Sequence, residues 1–272
     1  MPAFICTACG TQYPLSEQPP KACPICEDER QFVPEAGQSW TTLEAMRGDH
    51  FAIFRQHEPG LIGMGTTPKF AIGQRALLVA TDQGNVMWDC MSFIDPVSVA
   101  LVRGLGGIRA IAMSHPHFYA SMIEWSEAFG HAPIYLHSAD RNWVMRPDPA
   151  IIFWDEETRE IASRITLLRA GGHFAGATML HWAAGAGGRG ALLASDIATV
   201  GLDNHVSFMR SYPCLIPLDQ SSVRHIAEVL KPWRFERIYG GWFERGEIKS
   251  GGKDAVASSV ARYLKALTKP PD

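Results

Sequence analysis

The chain has 272 residues, 46% hydrophobic and 19% charged, with 25 basic and 28 acidic side chains and a formal net charge of -3. That balance fits one large globular domain or two modest ones, excludes long disorder, and gives no basic field for nucleic acid, which is not expected as a partner. No apolar run reaches the roughly 18 residues of a membrane span, and the start lacks the basic-then-apolar pattern of a signal peptide, so a cytoplasmic protein with no membrane partner is expected.

Four of the six cysteines fall in the first 26 residues, as two C-x-x-C pairs, Cys6/Cys9 and Cys23/Cys26, with 13 residues between them. A C-x-x-C turn aims two thiolates at one metal, and two such turns complete a tetrahedral four-sulfur site. Gly10 suits a turn position with positive φ, and Pro24 stiffens the second pair. Residues 27–40, EDERQFVPEAGQSW, shift to charged and Pro/Gly-containing sequence and read as a linker, which puts a module at 1–37 and a body at 38–272. Cys90 and Cys214 stand alone in apolar surroundings and are expected in the core.

Within the body, ALLVA and NVMWDC flank the turn signal TDQG and predict a hairpin over 76–90. DPVSVALVRGL, residues 95–105, has helical spacing and a Gly-Gly stop. GIRAIAMS is a strand ending at residue 114, followed by HPHFYASMIEWSEAFG, whose second half is an amphipathic helix. PIYLH, ITLLRA, TMLHWAA and ALLAS are further strands, the last two joined by GAGGRG. Helices are expected over 219–231 and 253–268, with the strand ERIYG between them. Trp143, Trp154 and Trp182 are assigned to packing, and His181 to a packed, hydrogen-bonded position in mid-strand. Early strands followed by alternating strands and helices suggest an α/β protein with two packed sheets and helices outside.

His115 and His117 directly follow an apolar strand, where a period of two in extended chain points both imidazoles the same way. His173, in RAGGHFAGAT, and Asp196, at the end of ALLASD, also lie at strand ends. Three imidazoles and a carboxylate make a ligand set for a borderline metal such as Zn2+, although each histidine alone is compatible with a hydrogen-bonded structural role. His137 and Asp140 read as structural.

The segment CTACG…CPIC resembles rubredoxin-like, or zinc-ribbon, modules. Glu27 stands where such a module usually has a second glycine, and this departure favours structural Zn2+ over redox-active Fe. The body, through MWD at Asp89, SHPHFYAS, GGHFAGAT, LLASD and RIYGGWF, in that order, resembles the metallo-β-lactamase superfamily. The resemblance implies a four-layer αββα sandwich, with His115, His117 and His173 as the first metal site and Asp196 as the carboxylate contacting the metals. The ligands specific to the second metal are missing: Tyr119 and Ala120 stand where H-x-H-x-D-H has Asp and His, and IYGGWF contains no histidine.

These matches imply one Zn2+ in the body (alternatively Fe2+) and hydrolysis of a small-molecule ester, thioester, amide or phosphoester. Asp196 is then ligand or base, and Tyr119 either donates to an oxyanion or fills the vacated site. Trp242 and His205 are expected at the substrate pocket. Two alternatives stand beside this reading: a binding or structural protein on a degenerate hydrolase fold, and a mononuclear iron oxygenase of the persulfide dioxygenase type.

Overall fold

The structure is a computed structural model that describes residues 1–244 and 246–268. The chain forms two compact units, Met1–Asp155 and Glu156–Asp272.

The first unit begins with a small sheet in which β1 (Ala3–Cys6) lies between β2 (Gln12–Leu15) and β3 (Trp40–Thr41), both antiparallel to it. The main sheet comprises β4 (Phe51–Glu58), β5 (Leu61–Thr67), β6 (Ala76–Val79), β7 (Asn85–Trp88), β8 (Ile108–Ala112), β9 (Ile134–His137) and β10 (Ile151–Trp154), arranged in sequence order. Strands β4 to β7 run antiparallel, and β7 to β10 run parallel. The apolar runs ALLV and NVMW are buried at every position, as strands covered on both faces require. The unit's helices are α1 (Pro24–Glu27), α2 (Leu43–Met46), α3 (Pro96–Gly104) and α4 (Met122–Ala128). The crossover helix α3 starts at a capping box of Asp95 with Ser98, and Gly106 and Gly107 follow it at positive φ.

The second unit is a six-stranded sheet in the order β11 (Thr158–Ala162), β12 (Ile165–Arg169), β13 (Thr178–Trp182), β14 (Ala191–Ser195), β19 (Arg237–Gly240) and β20 (Glu247–Ile248). Two short hairpins, β15 (Thr199–Val200) with β16 (Val206–Ser207) and β17 (Met209–Ser211) with β18 (Ile216–Pro217), leave the sheet after β14. GAGGRG forms a tight turn, α5 (Gly185–Gly188), in which Ala186 and Gly187 take left-handed φ, and α6 (Gln220–Leu230) and α7 (Gly252–Thr268) pack together. No helix among the described residues is long and apolar enough to cross a membrane.

The expected elements from 76 to 268 are present. Cys90 is fully buried, but Cys214 is exposed, against expectation: it sits at the turn between β17 and β18, beside the exposed Leu215. The apolar run around it covers a hairpin tip instead of the core. Trp154 and Trp182 are buried as expected, and His181 lies within β13, bonded to the Arg234 carbonyl at 2.8 Å.

Candidate metal centres

The two C-x-x-C turns are built differently. In the first, the Cys6 carbonyl accepts from the Gly10 amide at 2.8 Å, and Gly10 takes φ +84°, a conformation that favours glycine. In the second, Cys23 precedes a single helical turn, and its carbonyl accepts from the amides of Cys26 and Glu27. All four sulfurs are buried and lie within 4.8 Å of one another. Cys6 and Cys26 are 3.6 Å apart, as are Cys9 and Cys23. A disulfide needs about 2.05 Å. A tetrahedron with metal–sulfur bonds of roughly 2.3 Å has edges of about 3.8 Å, so the donor set fits a four-coordinate metal. Crowding splits the thiols: hydrogen bonding, chiefly with Cys26, draws Cys23 down to about 7, while Cys9 is pushed up. A bound cation replaces these shared protons. Tyr13, kept protonated by burial and by the neighbouring Cys23 sulfur, packs against the cluster with Trp40 and Trp143.

The carboxyl ends of parallel strands are where open α/β sheets place their ligands. His115 and His117 follow the end of β8. The Asp89 carboxylate accepts from the Ser114 amide at 2.8 Å, and Ser114 shares a 2.9 Å hydrogen bond with His115 Nδ1. His115 itself is extended, but Pro116–Phe118 form a 3-10 turn, so the pair does not lie on the continuous extended chain expected. Pro116 imposes this difference, since its fixed φ suits the first position of a helical turn. Both imidazoles are buried all the same, with ring centroids 5.1 Å apart. Tyr119 is buried too. Desolvation, reinforced by the Asp140 and Asp89 carboxylates, pushes its phenol above the usual range and keeps it a donor.

In the second unit, His173 follows Gly171 and Gly172, both at positive φ. Its Nδ1–H donates to the Met209 carbonyl at 2.9 Å, and Nε2 lies 3.8 Å from Asp196 Oδ2. Asp196 directly follows β14, and its carbonyl accepts the Tyr212 hydroxyl at 2.6 Å. His205 is bonded to Asp203, which also pairs with Arg262, and Trp242 is half-buried beyond β19. Sequence reasoning missed Ser114, Tyr212 and the Met209 carbonyl. A backbone acceptor carries no side-chain signature, and nothing in RSYP marks the tyrosine.

Thus the structure groups the four cysteines, pairs His115 with His117, and pairs His173 with Asp196. Solved structures share this architecture. The metallo-β-lactamase VMB-1 superposes with a TM-score of 0.61 at 13% identity, over 80% of this chain and 98% of its own. FIM-1 of Pseudomonas aeruginosa, in a mono-zinc form, superposes at 0.57 and 13% identity, over 82% of this chain and 98% of its own. The fold is that of the metallo-β-lactamases, carried here with an N-terminal four-cysteine cluster. No family model matches the chain. It is 47% identical over 270 residues, 98% of this chain and 97% of the other, to the uncharacterised protein YmaE of Bacillus subtilis, and it belongs to the same family as YmaE.

Proposed function

We propose that the protein is a mononuclear metal-dependent hydrolase in which His115, His117 and His173 ligate one Zn2+, with the fourth position open to water or shared with Asp196, which is ligand or base, while Cys6, Cys9, Cys23 and Cys26 hold a second, structural Zn2+. The observation that carries this reading is the His173 ring. Its Nδ1–H is anchored on the Met209 carbonyl, so Nε2 is the nitrogen turned towards the Asp196 carboxylate. Anchoring one ring nitrogen on a carbonyl is how metal-ligating histidines are fixed in tautomer and orientation. His115 and His117 add a second buried pair, and each of the four residues offers one donor atom of a kind that Zn2+ accepts.

When bound, Zn2+ supplies Lewis acidity and lowers the pKa of water towards about 7. The chain supplies the rest. Asp196, the carboxylate of the set, would hold a proton taken from an attacking water. Tyr119, protonated and buried, donates a hydrogen bond to the oxyanion that develops on an ester, thioester, amide or phosphoester. Trp242 and His205 are assigned to the rim of the small-molecule pocket.

Metal content per chain tests the reading. The wild-type protein is expected to carry two zinc ions, and His173→Ala one, held by the cysteines. Hydrolysis of an ester and thioester panel is expected to fall in that variant by about two orders of magnitude or more. Loss of both ions in His173→Ala refutes the two-site arrangement. Iron in the body redirects the reading to O2 chemistry, and no metal there to a binding protein.

A further inference from the structure

The four-cysteine module is bonded to the segment that carries His115 and His117. Directly after Cys9, the Gly10 carbonyl accepts the Ser92 hydroxyl at 2.9 Å, and the Gln12 amide donates to the Ala120 carbonyl at 3.3 Å. The Ser92 carbonyl in turn accepts the Ser121 hydroxyl at 2.7 Å, so one serine is tied to the module on one side and to the loop on the other. The Gln12 side chain donates to Glu124 at 3.2 Å and accepts from Arg146, whose guanidinium also bonds Glu124 at 2.8 Å. Gln12, Ser92, Ala120 and Ser121 are all buried, and a Cβ on Gly10 would lie 2.5 Å from the Ser92 oxygen. Ala120, next to Tyr119, is held at φ +41°, a conformation that a non-glycine residue keeps only when its surroundings impose it.

We propose that the module is a metal-dependent clamp on the loop 115–121, with Ser92 and Gln12 as its positioning residues. A metal on the four sulfurs fixes the turn from Cys6 to Cys9. That turn fixes the Gly10 carbonyl and the Gln12 amide, and these hold Ser92 and Ala120 against the loop. For a metal site of this kind, binding energy is folding energy, so loss of the ion releases residues 6–12 and removes the loop's outer support. Assigning His117 and Tyr119 to the reaction rests on the proposed function. The clamp rests only on the metal proposed for the four cysteines, not on the hydrolase reading.

The test is amide hydrogen exchange on the full chain, comparing peptides that cover 113–122 with a reference peptide covering 165–182. Ser92→Ala is expected to keep the module's metal and to speed exchange over 113–122 about fivefold, the ratio an ordinary hydrogen bond is worth. Cys23→Ser is expected to lose that metal and to speed exchange over 113–122 tenfold or more, with the reference unchanged. Unchanged exchange over 113–122 in Ser92→Ala overturns the clamp. So does acceleration that spreads equally to the reference peptide. Should Cys23→Ser not fold, Ser92→Ala alone decides. Exchange is read without substrate and without reference to the body's metal, so failure of the hydrolase reading leaves this result intact.

Discussion

Gly10→Ala is the sharpest probe of how the four-cysteine segment meets Ser92, because two separate penalties fall on one methyl group. The first is conformational: at φ +84° an alanine Cβ crowds its own backbone, at a cost of about 1 kcal/mol. The second is steric: the new Cβ would lie 2.5 Å from Ser92 Oγ, so the hydroxyl must swing away and abandon the Gly10 carbonyl. Leaving that carbonyl without its donor costs roughly 2 kcal/mol. Together these predict a loss of about 3 kcal/mol, or about 6 °C in Tm for a chain of this size.

Two controls separate the terms by differential scanning calorimetry. Gly37 is also at positive φ, +85°, with nothing within 4 Å of its would-be Cβ, so Gly37→Ala should carry the conformational term alone, about 1 kcal/mol. In a Ser92→Ala background the obstructing oxygen is gone, and Gly10→Ala should likewise cost about 1 kcal/mol. The cycle should therefore show a coupling energy of about 2 kcal/mol. Additivity within about 0.5 kcal/mol would refute the reasoning, because residues in contact are required to couple.

The second unit offers two further predictions. Lys253 Nζ donates to the carbonyls of Leu230, Lys231 and Trp233, placing a cation on the open end of α6, so Lys253→Met should destabilise the protein by about 2 kcal/mol in urea denaturation; an unchanged midpoint would show that the ammonium contributes nothing. Burial lowers the His181 pKa below 6.5, while its Nε2–H donates to the Arg234 carbonyl. The unfolded chain therefore takes up the proton first: this residue's contribution is intact above pH 6.5 and is lost as pH falls from there to the folded value. His181→Gln should flatten that part of the stability curve between pH 7.5 and 5, and an equal slope in both proteins would refute the assignment.

The sequence made some elements legible because chemistry marks their ends. TDQG closes the hairpin of β6 and β7, Asp95 caps α3, and Gly106 and Gly107 stop it. The individual outlines of β4 and β5 were not legible. β4 is an edge strand with Phe51 and Ile53 exposed, so its apolar residues do not all point to the core, and β5 is interrupted by Gly63 and Gly65. The ligand types were legible in the same way, since cysteine, histidine and aspartate announce their chemistry wherever they stand. Their support was not. Met209 anchors His173 through a carbonyl, and Tyr212 holds Asp196 by its backbone, so neither interaction depends on a recognisable pattern.

Glu27 shows how a departure from a pattern can locate a difference in structure. A glycine after the second C-x-x-C pair would be required if that turn passed through positive φ, as the first does at Gly10. The second pair instead spans one right-handed helical turn begun by Pro24, in which Cys23 accepts from both Cys26 and Glu27, and any L-residue fits there. The two halves of the cysteine cluster therefore differ in more than geometry. The helical half closes the cluster through local bonds. The glycine half turns its carbonyl outward to Ser92, and two residues later its chain meets Ala120. A glycine is needed where the chain must pass close to a neighbour, and here that neighbour is Ser92.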